Sequence, residues 1–233
     1  DYTIHNVDLK TYAADYENID DEIKNSGRYT ISICDINDTN RIINLIHRQN
    51  INYIVNFAAE SHVDNSINNS TPFIHTNING THSLLSTLKE CPSVERYVQI
   101  STDEVYGSLS EQDPAFVEHT SINPNSPYAA SKASADLLCR SFYETFKHPI
   151  LITRCSNNYG PNQHDEKLIP LMIKNAKAGT KLPVYGTGKN IRDWIHVSDH
   201  CSAIDTVLHG GRVGEVYNIG GNNEMLSLIH ISE

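Results

Sequence analysis

Apolar positions along this 233-residue chain follow two alternating spacings. Tyr29–Asp35 (YTISICD), Asn52–Ala58 (NYIVNFA), Arg96–Thr102 (RYVQIST) and Ile150–Cys155 (ILITRC) are short apolar runs rich in β-branched and aromatic residues, which predicts strands. Thr3–Asp8 predicts a further strand that ends on an acid. Between them the apolar positions recur one helical turn apart. Asn37–Gln49 carries Ile42, Ile43, Leu45 and Ile46 as its stripe, and Ser126–Phe146 is also helical. Pro72–Glu90 predicts a long helix, with Pro72 in the first turn, where its missing N–H costs nothing. Strands alternating with helices predict an α/β fold: a Rossmann-like, doubly wound parallel sheet covered on both faces.

After Cys155 the texture changes. Asn157–Gln163 (NNYGPNQ) predicts a loop, Lys167–Ala178 a helix, and Leu182–Tyr185 a short strand ahead of Gly186-Thr187-Gly188. Asp193–Val197, Ser198–His209 and Glu215–Ile219 predict strand, helix and strand. The expected division is a doubly wound domain over residues 1–155 and a partial, interleaved smaller domain over 156–225. Leu226–Glu233 (LSLIHISE) reads as a translated sequencing adapter and is set aside. The chain opens directly on a strand without an initiator Met, so truncation at both ends is expected, with a first strand and its Gly-rich turn upstream.

Composition narrows the function classes. Hydrophobic residues make up 39% and charged residues 20%, as in globular proteins, and no apolar run is long enough to span a bilayer. Lys and Arg number 18 against 28 Asp and Glu, a net charge of -10, which disfavours nucleic-acid and membrane-surface partners. Cys34, Cys91, Cys139, Cys155 and Cys201 are scattered without a CxxC pair, which points to free thiols and a cytoplasmic location.

In doubly wound sheets ligands bind at the carboxyl ends of the strands, and these ends carry the unusual residues. Ser101–Gly107 (STDEVYG) follows a strand and sets Asp103 beside Glu104. Two adjacent carboxylates repel unless one stays protonated, which suits an acid and a base; an acidic turn is the plainer alternative. Tyr128-Ala129-Ala130-Ser131-Lys132 places Tyr128 and Lys132 one turn apart on one helix face. An ammonium there is expected to lower the phenol pKa and make a base, although the same spacing also occurs on ordinary solvated helices. Asp8, at a strand end, suits an adenosine ribose and would repel a 2′-phosphate, favouring NAD over NADP. Asp35 with Ile36 could reach the adenine region, and is as well read as a plain turn. Lys167 and Arg192 are candidate diphosphate ligands or else solvated cations. His196 and His200, four apart, lack an obvious third ligand, so no metal is expected.

Taken together and in this order, the motifs resemble the extended short-chain dehydrogenase/reductases, and among them the dTDP-glucose 4,6-dehydratases. The resemblance rests on Val7–Ala13, Asn56–Ile67 (NFAAESHVDNSI), Thr76–Leu85, Ser101–Gly107, Ser126–Lys132 (SPYAASK), Arg154–Pro170, Val184–His200 and Val216–Asn223, and covers nearly all of residues 7–225. Ala14-Asp15 departs from the family's usual Gly-Asn after Thr-Tyr-Ala. The resemblance implies an enzyme, a lyase of deoxysugar biosynthesis, that uses NAD. Tyr128, helped by Lys132, would deprotonate the C4 hydroxyl held by Thr102 as NAD takes the C4 hydride. Glu104 would remove the C5 proton, Asp103 would protonate the leaving C6 hydroxyl, and the hydride would return to C6. Asn157, Lys167 and Arg192 would hold the nucleotide diphosphate. Asp8, Asp35, Ile36, Ala58, Ala59, Tyr128 and Lys132 would line the cofactor. The resemblance further implies a homodimer built on helices Pro72–Glu90 and Ser126–Phe146. The alternatives are a UDP-glucose 4,6-dehydratase, a UDP-glucuronate decarboxylase or a 4-epimerase on the same scaffold, a non-catalytic dinucleotide-binding scaffold, and an inactive fragment of an active parent.

Overall fold

The computed structural model describes residues 2–110, 112–184 and 188–226. Strand β1 (Ile4–Asp8) pairs in parallel with β2 (Tyr29–Ile33), with Asp8 opposite Ile33. Between them lies the short helix α1 (Asp21–Lys24). A second sheet holds β3 (Tyr53–Asn56), β4 (Arg96–Thr102), β5 (Ile150–Cys155) and β8 (Val216–Ile219), all parallel and in that order. A third holds β6 (Asn157–Tyr159), β7 (Ile191–His196) and β9 (Glu224–Leu226), with β9 antiparallel to β7.

Helices cover both faces of the second sheet. On one side lie α2 (Thr39–Gln49), α5 (Thr81–Thr87) and α6 (Pro127–Phe146). Their buried Ile42, Ile46, Leu84, Leu85, Cys139 and Phe142 meet Tyr97, Ile150 and Ile152 in one core cluster. On the other side α8 (Val197–Gly210) packs Ile204 and Val207 on Val98, Ile100 and Leu151. β4 and β5 are therefore buried on both faces, as their nearly unbroken apolar sequences require. Of the α2 stripe, Ile42 and Ile46 reach the core.

Several expectations change in detail. Pro72–Glu90 is not one regular helix. Thr71–Phe73 (α4) runs into a π-helical stretch, Ile74–Gly80, and then into α5. The wider turn coincides with a close approach: a Cβ on Gly80 would lie 2.5 Å from Ile36 Cδ1. Asn157–Gln163, expected as a loop, begins with strand β6, because Asn157, Asn158 and Tyr159 find Trp194, Ile195 and His196 as parallel partners. Leu182–Val184 is not a strand; Pro183 has no N–H for a ladder. Tyr185, Gly186 and Thr187 lie outside the described residues. So do 227–233, whereas Leu226, the first residue of LSLIHISE, is described as the end of β9 opposite Ile191. Sequence reading also missed α3 (Val63–Asn68) and the 3-10 turns Tyr16–Asn18 and Asp103–Tyr106. The remaining helix, α7, spans Leu168–Lys177.

Candidate active site

Thr102 is both the last residue of β4 and the cap of the 3-10 turn that follows it. Its Oγ accepts from the Glu104 backbone N–H at 3.2 Å and donates to the Asp103 carboxylate at 3.3 Å. The turn ends at Gly107, whose φ of 95° and position against the Asn123 carbonyl, 2.4 Å from a hypothetical Cβ, leave no room for a side chain. The sequence thus folds the acid pair tightly back over the mouth of β4. Burial, then the neighbouring Glu104 charge, raises the Asp103 pKa to about 6; the Thr102 hydrogen bond and Arg192 oppose the shift. Burial also raises Glu104, against two cations, Arg192 and Lys167. Glu104 thus has more positive charge beside it than Asp103 has, and the pair is biased toward a protonated Asp103 next to an ionised Glu104.

Helix α6 brings the second group. Ser126 caps it through the Ala129 N–H at 3.0 Å, and Pro127 occupies the first turn. The Tyr128 N–H is spent on Ser66 Oγ at 3.1 Å, and the Tyr128 ring meets Phe73 edge-on at 6.3 Å. The Tyr128 hydroxyl hydrogen-bonds Thr102 and lies in the field of Glu104, Cys155 and Asp103. The expected lowering of its pKa by Lys132 is overturned. Burial first, and then the Glu104 carboxylate, hold the phenol well above its ordinary value. The Lys132 ammonium, 4% exposed, donates instead to the Ile100 carbonyl at 2.6 Å. Burial lowers the Lys132 pKa, and Asp136, Cys155 and Cys139 counter it.

Lys167 caps α7 and reaches across to the Ser61 carbonyl at 2.9 Å, tying that helix to the segment after β3. Arg192 is exposed on β7, and Asn157 is half-buried on β6. Lys167 and Arg192 converge electrostatically on Glu104. Ala58 and Ala59 follow β3, with the Ala58 N–H on Asn56 Oδ1 at 3.2 Å. Asp8 and Asp35 stand apart from this cluster, at the carboxyl ends of the β1–β2 pair. Asp8 accepts from the Lys10 N–H, and Asp35 accepts from the Asn37 N–H at 2.8 Å in a tight turn. The Ile36 side chain is packed in the core against Gly80, so a ligand could meet this residue only at its backbone.

Sequence reading missed Asn77, in the π-helical stretch. Its amide accepts from the Glu60 N–H, donates to the Glu60 carbonyl at 3.0 Å and donates to Ser131 Oγ at 2.8 Å, locking the segment after β3 to α6. It also missed Asp136, although Asp136 lies one turn beyond Lys132 at the same spacing that marks Tyr128 and Lys132.

The residues present fit a dinucleotide. Lys132 is a buried ammonium that donates one hydrogen bond to the Ile100 carbonyl of β4 and has two further protons to give. Beside it stand small side chains at Ala58 and Ala59, and a half-exposed Asp8 closes a parallel strand. Among the described residues no group of three His, Cys, Asp or Glu is arranged to hold a metal. His196 caps α8 through Ser198, and His200 Nδ1 pairs with Asn158 Oδ1 at 2.8 Å.

Residues 1–232 match the family model described as GDP-mannose 4,6 dehydratase. The dTDP-glucose 4,6-dehydratase of Haemophilus influenzae is 48% identical over 231 residues, which are 96% of this chain and 68% of that protein. The dTDP-glucose 4,6-dehydratase of Bacillus anthracis, solved in complex with NAD, superposes with a TM-score of 0.90 at 50% identity, covering 98% of this chain and 70% of that one. DesIV of Streptomyces venezuelae, a dTDP-glucose 4,6-dehydratase solved with NAD, gives 0.92 at 43% identity, covering 97% and 70%. The chain spans about two thirds of the length of these relatives. With this likeness along almost every residue, and with the acid pair and the Tyr-Lys helix meeting at the mouth of β4, the chain belongs to the GDP-mannose 4,6 dehydratase family and, within it, groups with the dTDP-glucose 4,6-dehydratases.

Proposed function

We propose that this protein dehydrates dTDP-glucose to the 4-keto-6-deoxy sugar nucleotide, with NAD as its resident cofactor. The observation that carries this reading is the raised Asp103 carboxyl beside Glu104, on the same strand end that hydrogen-bonds Tyr128. NAD, when bound, supplies the acceptor for the hydride leaving C4, returns it to C6, and in its oxidised form brings a positive charge that favours the Tyr128 phenolate. Tyr128 Oη takes the C4 hydroxyl proton while the Thr102 hydroxyl holds that oxygen. The resulting ketone acidifies the C5 proton, which the Glu104 carboxylate removes. Asp103, a carboxylic acid up to about pH 6, gives its proton to the C6 oxygen, which leaves as water. Lys132 orients the cofactor ribose. Asn157, Lys167 and Arg192 grip the diphosphate, and Asp8, Asp35, the Ile36 backbone, Ala58 and Ala59 line the adenosine side.

A decarboxylase has no C6 hydroxyl to protonate and leaves Asp103 without a task, and an epimerase has no use for either acid. In the same reading residues 1–155 form the cofactor domain and 156–225 part of the substrate domain. The return of β8 to the sheet of β3, β4 and β5 supports their interleaving. Exposed Ile74, Leu137 and Phe146 on the π-helical stretch and α6 support a homodimer through these helices, and five unpaired thiols support a cytoplasmic location.

The test is mass spectrometry of the nucleotide sugar after incubating the full-length enzyme and NAD with dTDP-glucose, UDP-glucose or UDP-glucuronate. Loss of one water from dTDP-glucose is expected. Water loss from UDP-glucose alone reassigns the nucleotide, carbon dioxide loss from UDP-glucuronate removes the roles of Asp103 and Glu104, and unchanged mass with isomerisation makes the protein an epimerase.

A further inference from the structure

We propose that the buried Asp136–Arg154 pair is a positioning device that holds the Tyr128–Lys132 helix and the Asp103–Glu104 turn in one register, a role that rests on the dehydration reading above. Arg154 Nε donates to Asp136 Oδ2 at 2.8 Å, with the two side chains 5% and 1% exposed. Burying such a pair costs desolvation that an apolar pair of the same volume would avoid, so net stability alone is a weak reason for its presence.

Its connections are more informative. Asp136 lies one turn beyond Lys132, two beyond Tyr128, on the same face of α6, and its charge favours the Lys132 ammonium. Arg154 projects from β5 and lays its guanidinium 4.7 Å over the ring of Tyr106, the last residue of the turn that begins with Asp103 and Glu104. Tyr106 is fixed in turn: its ring stacks on Phe116 at 4.9 Å, and its hydroxyl donates to Asn218 Oδ1 at 2.7 Å. A single ion pair therefore touches both elements that carry the proposed acid–base groups. It touches neither at the reacting end. Misplacing such groups by about 1 Å can cost about a hundredfold in rate.

The pair also borders a cavity of about 180 Å³ between α6, β5 and β8, lined by Glu118, Cys139, Tyr143 and Val216 among others. Groups facing Lys132 are Asp136 and Cys139 from its own helix and Cys155 from β5, with Arg154 behind Asp136. Replacing the Asp136 carboxylate removes the largest of the contributions that oppose the lowering of the Lys132 pKa.

The experiment compares Asp136→Asn, Arg154→Ala and Arg154→Lys in the NAD-loaded enzyme at the full length of its relatives. Expected are a fall in kcat of about 10- to 100-fold with KM within about threefold, and partial recovery of Arg154→Ala by guanidinium but not by sodium chloride at equal ionic strength. Arg154→Lys should fall between wild type and Arg154→Ala. In Asp136→Asn, the Lys132 ammonium, followed by nitrogen-15 NMR without substrate, should titrate at lower pH. Wild-type kcat in Arg154→Lys and Asp136→Asn overturns the proposal, as does an unmoved Lys132 titration. A loss that follows the unfolded fraction and ignores guanidinium also overturns it. If Arg154→Ala does not fold, Arg154→Lys and the NMR titration decide. Failure of wild type to convert dTDP-glucose would count against the dehydratase reading alone, because the Lys132 titration needs no sugar nucleotide.

Discussion

The β4–β5–α6 centre of the molecule and its β1–β2 edge share one construction, parallel strands with the proposed site residues at their carboxyl ends, yet hold those residues very differently. At the centre the proposed reacting groups are tied to their neighbours. Thr102 is tied to Asp103, Glu104 and Tyr128, Lys132 to Ile100, and Asp136 to Arg154. At the edge Ile4, Ile31 and Ile33 are exposed, and Asp8 and Asp35 bond only to the backbone or side chains two residues on. Chemistry that moves protons over fractions of an ångström sits where packing over-determines position. Recognition of a ribose needs only a carboxylate at the end of a strand.

The contrast can be broken most sharply at Tyr128. Tyr128→Phe keeps the ring against Phe73 and removes only the hydroxyl. It should cut kcat by about 10²- to 10⁴-fold with an unchanged melting temperature, measured by turnover and thermal unfolding. Packing comes next. Leu151→Ala at a fully buried β5 position should cost about 2–5 kcal/mol in urea unfolding, whereas Ile33→Thr, at a side chain 45% exposed, should stay within about 0.5 kcal/mol. Equal costs at the two sites would remove the contrast.

Asp103→Asn separates function from stability. The Asp103 pKa is raised on folding from 3.8 to about 6, so ionised Asp103 disfavours the folded state. The penalty is absent below about pH 4, grows as pH rises through the interval between these values, and is complete above it. The variant should therefore lose C6–O cleavage yet gain up to about 3 kcal/mol of stability at pH 7.5 and nothing at pH 4, read from unfolding at the two pH values. The smallest effect belongs to the exposed Arg192. Arg192→Ala should raise KM for the sugar nucleotide about tenfold. It should also move both limbs of kcat upward, the acidic one with Glu104 and the alkaline one with Asp103, because a cation that holds down both groups is lost.

The parallel sheet was legible because β4 and β5 are so apolar that only two-sided burial suits them, and the ends of both strands fall where the pattern places them. The acid pair and the Tyr128–Lys132 spacing were legible because they are local in sequence. The π-helical stretch was not, since it answers a tertiary contact between Gly80 and Ile36. Strand β6 was hidden for a related reason: three residues rich in Asn become a strand only when β7 supplies partners. The direction of the Tyr128 shift was misjudged because spacing places Lys132 on the right face but does not say that burial and the Glu104 carboxylate raise the phenol.

In the proposed reaction one site oxidises C4, removes water across C5 and C6, and returns the same hydride to C6. The most direct measurement uses dTDP-glucose deuterated at C4 with the full-length enzyme and catalytic NAD, and locates the label by NMR and mass spectrometry. The expected product is one water lighter and carries deuterium at C6. Deuterium retained at C4, or lost to solvent, would contradict this reaction.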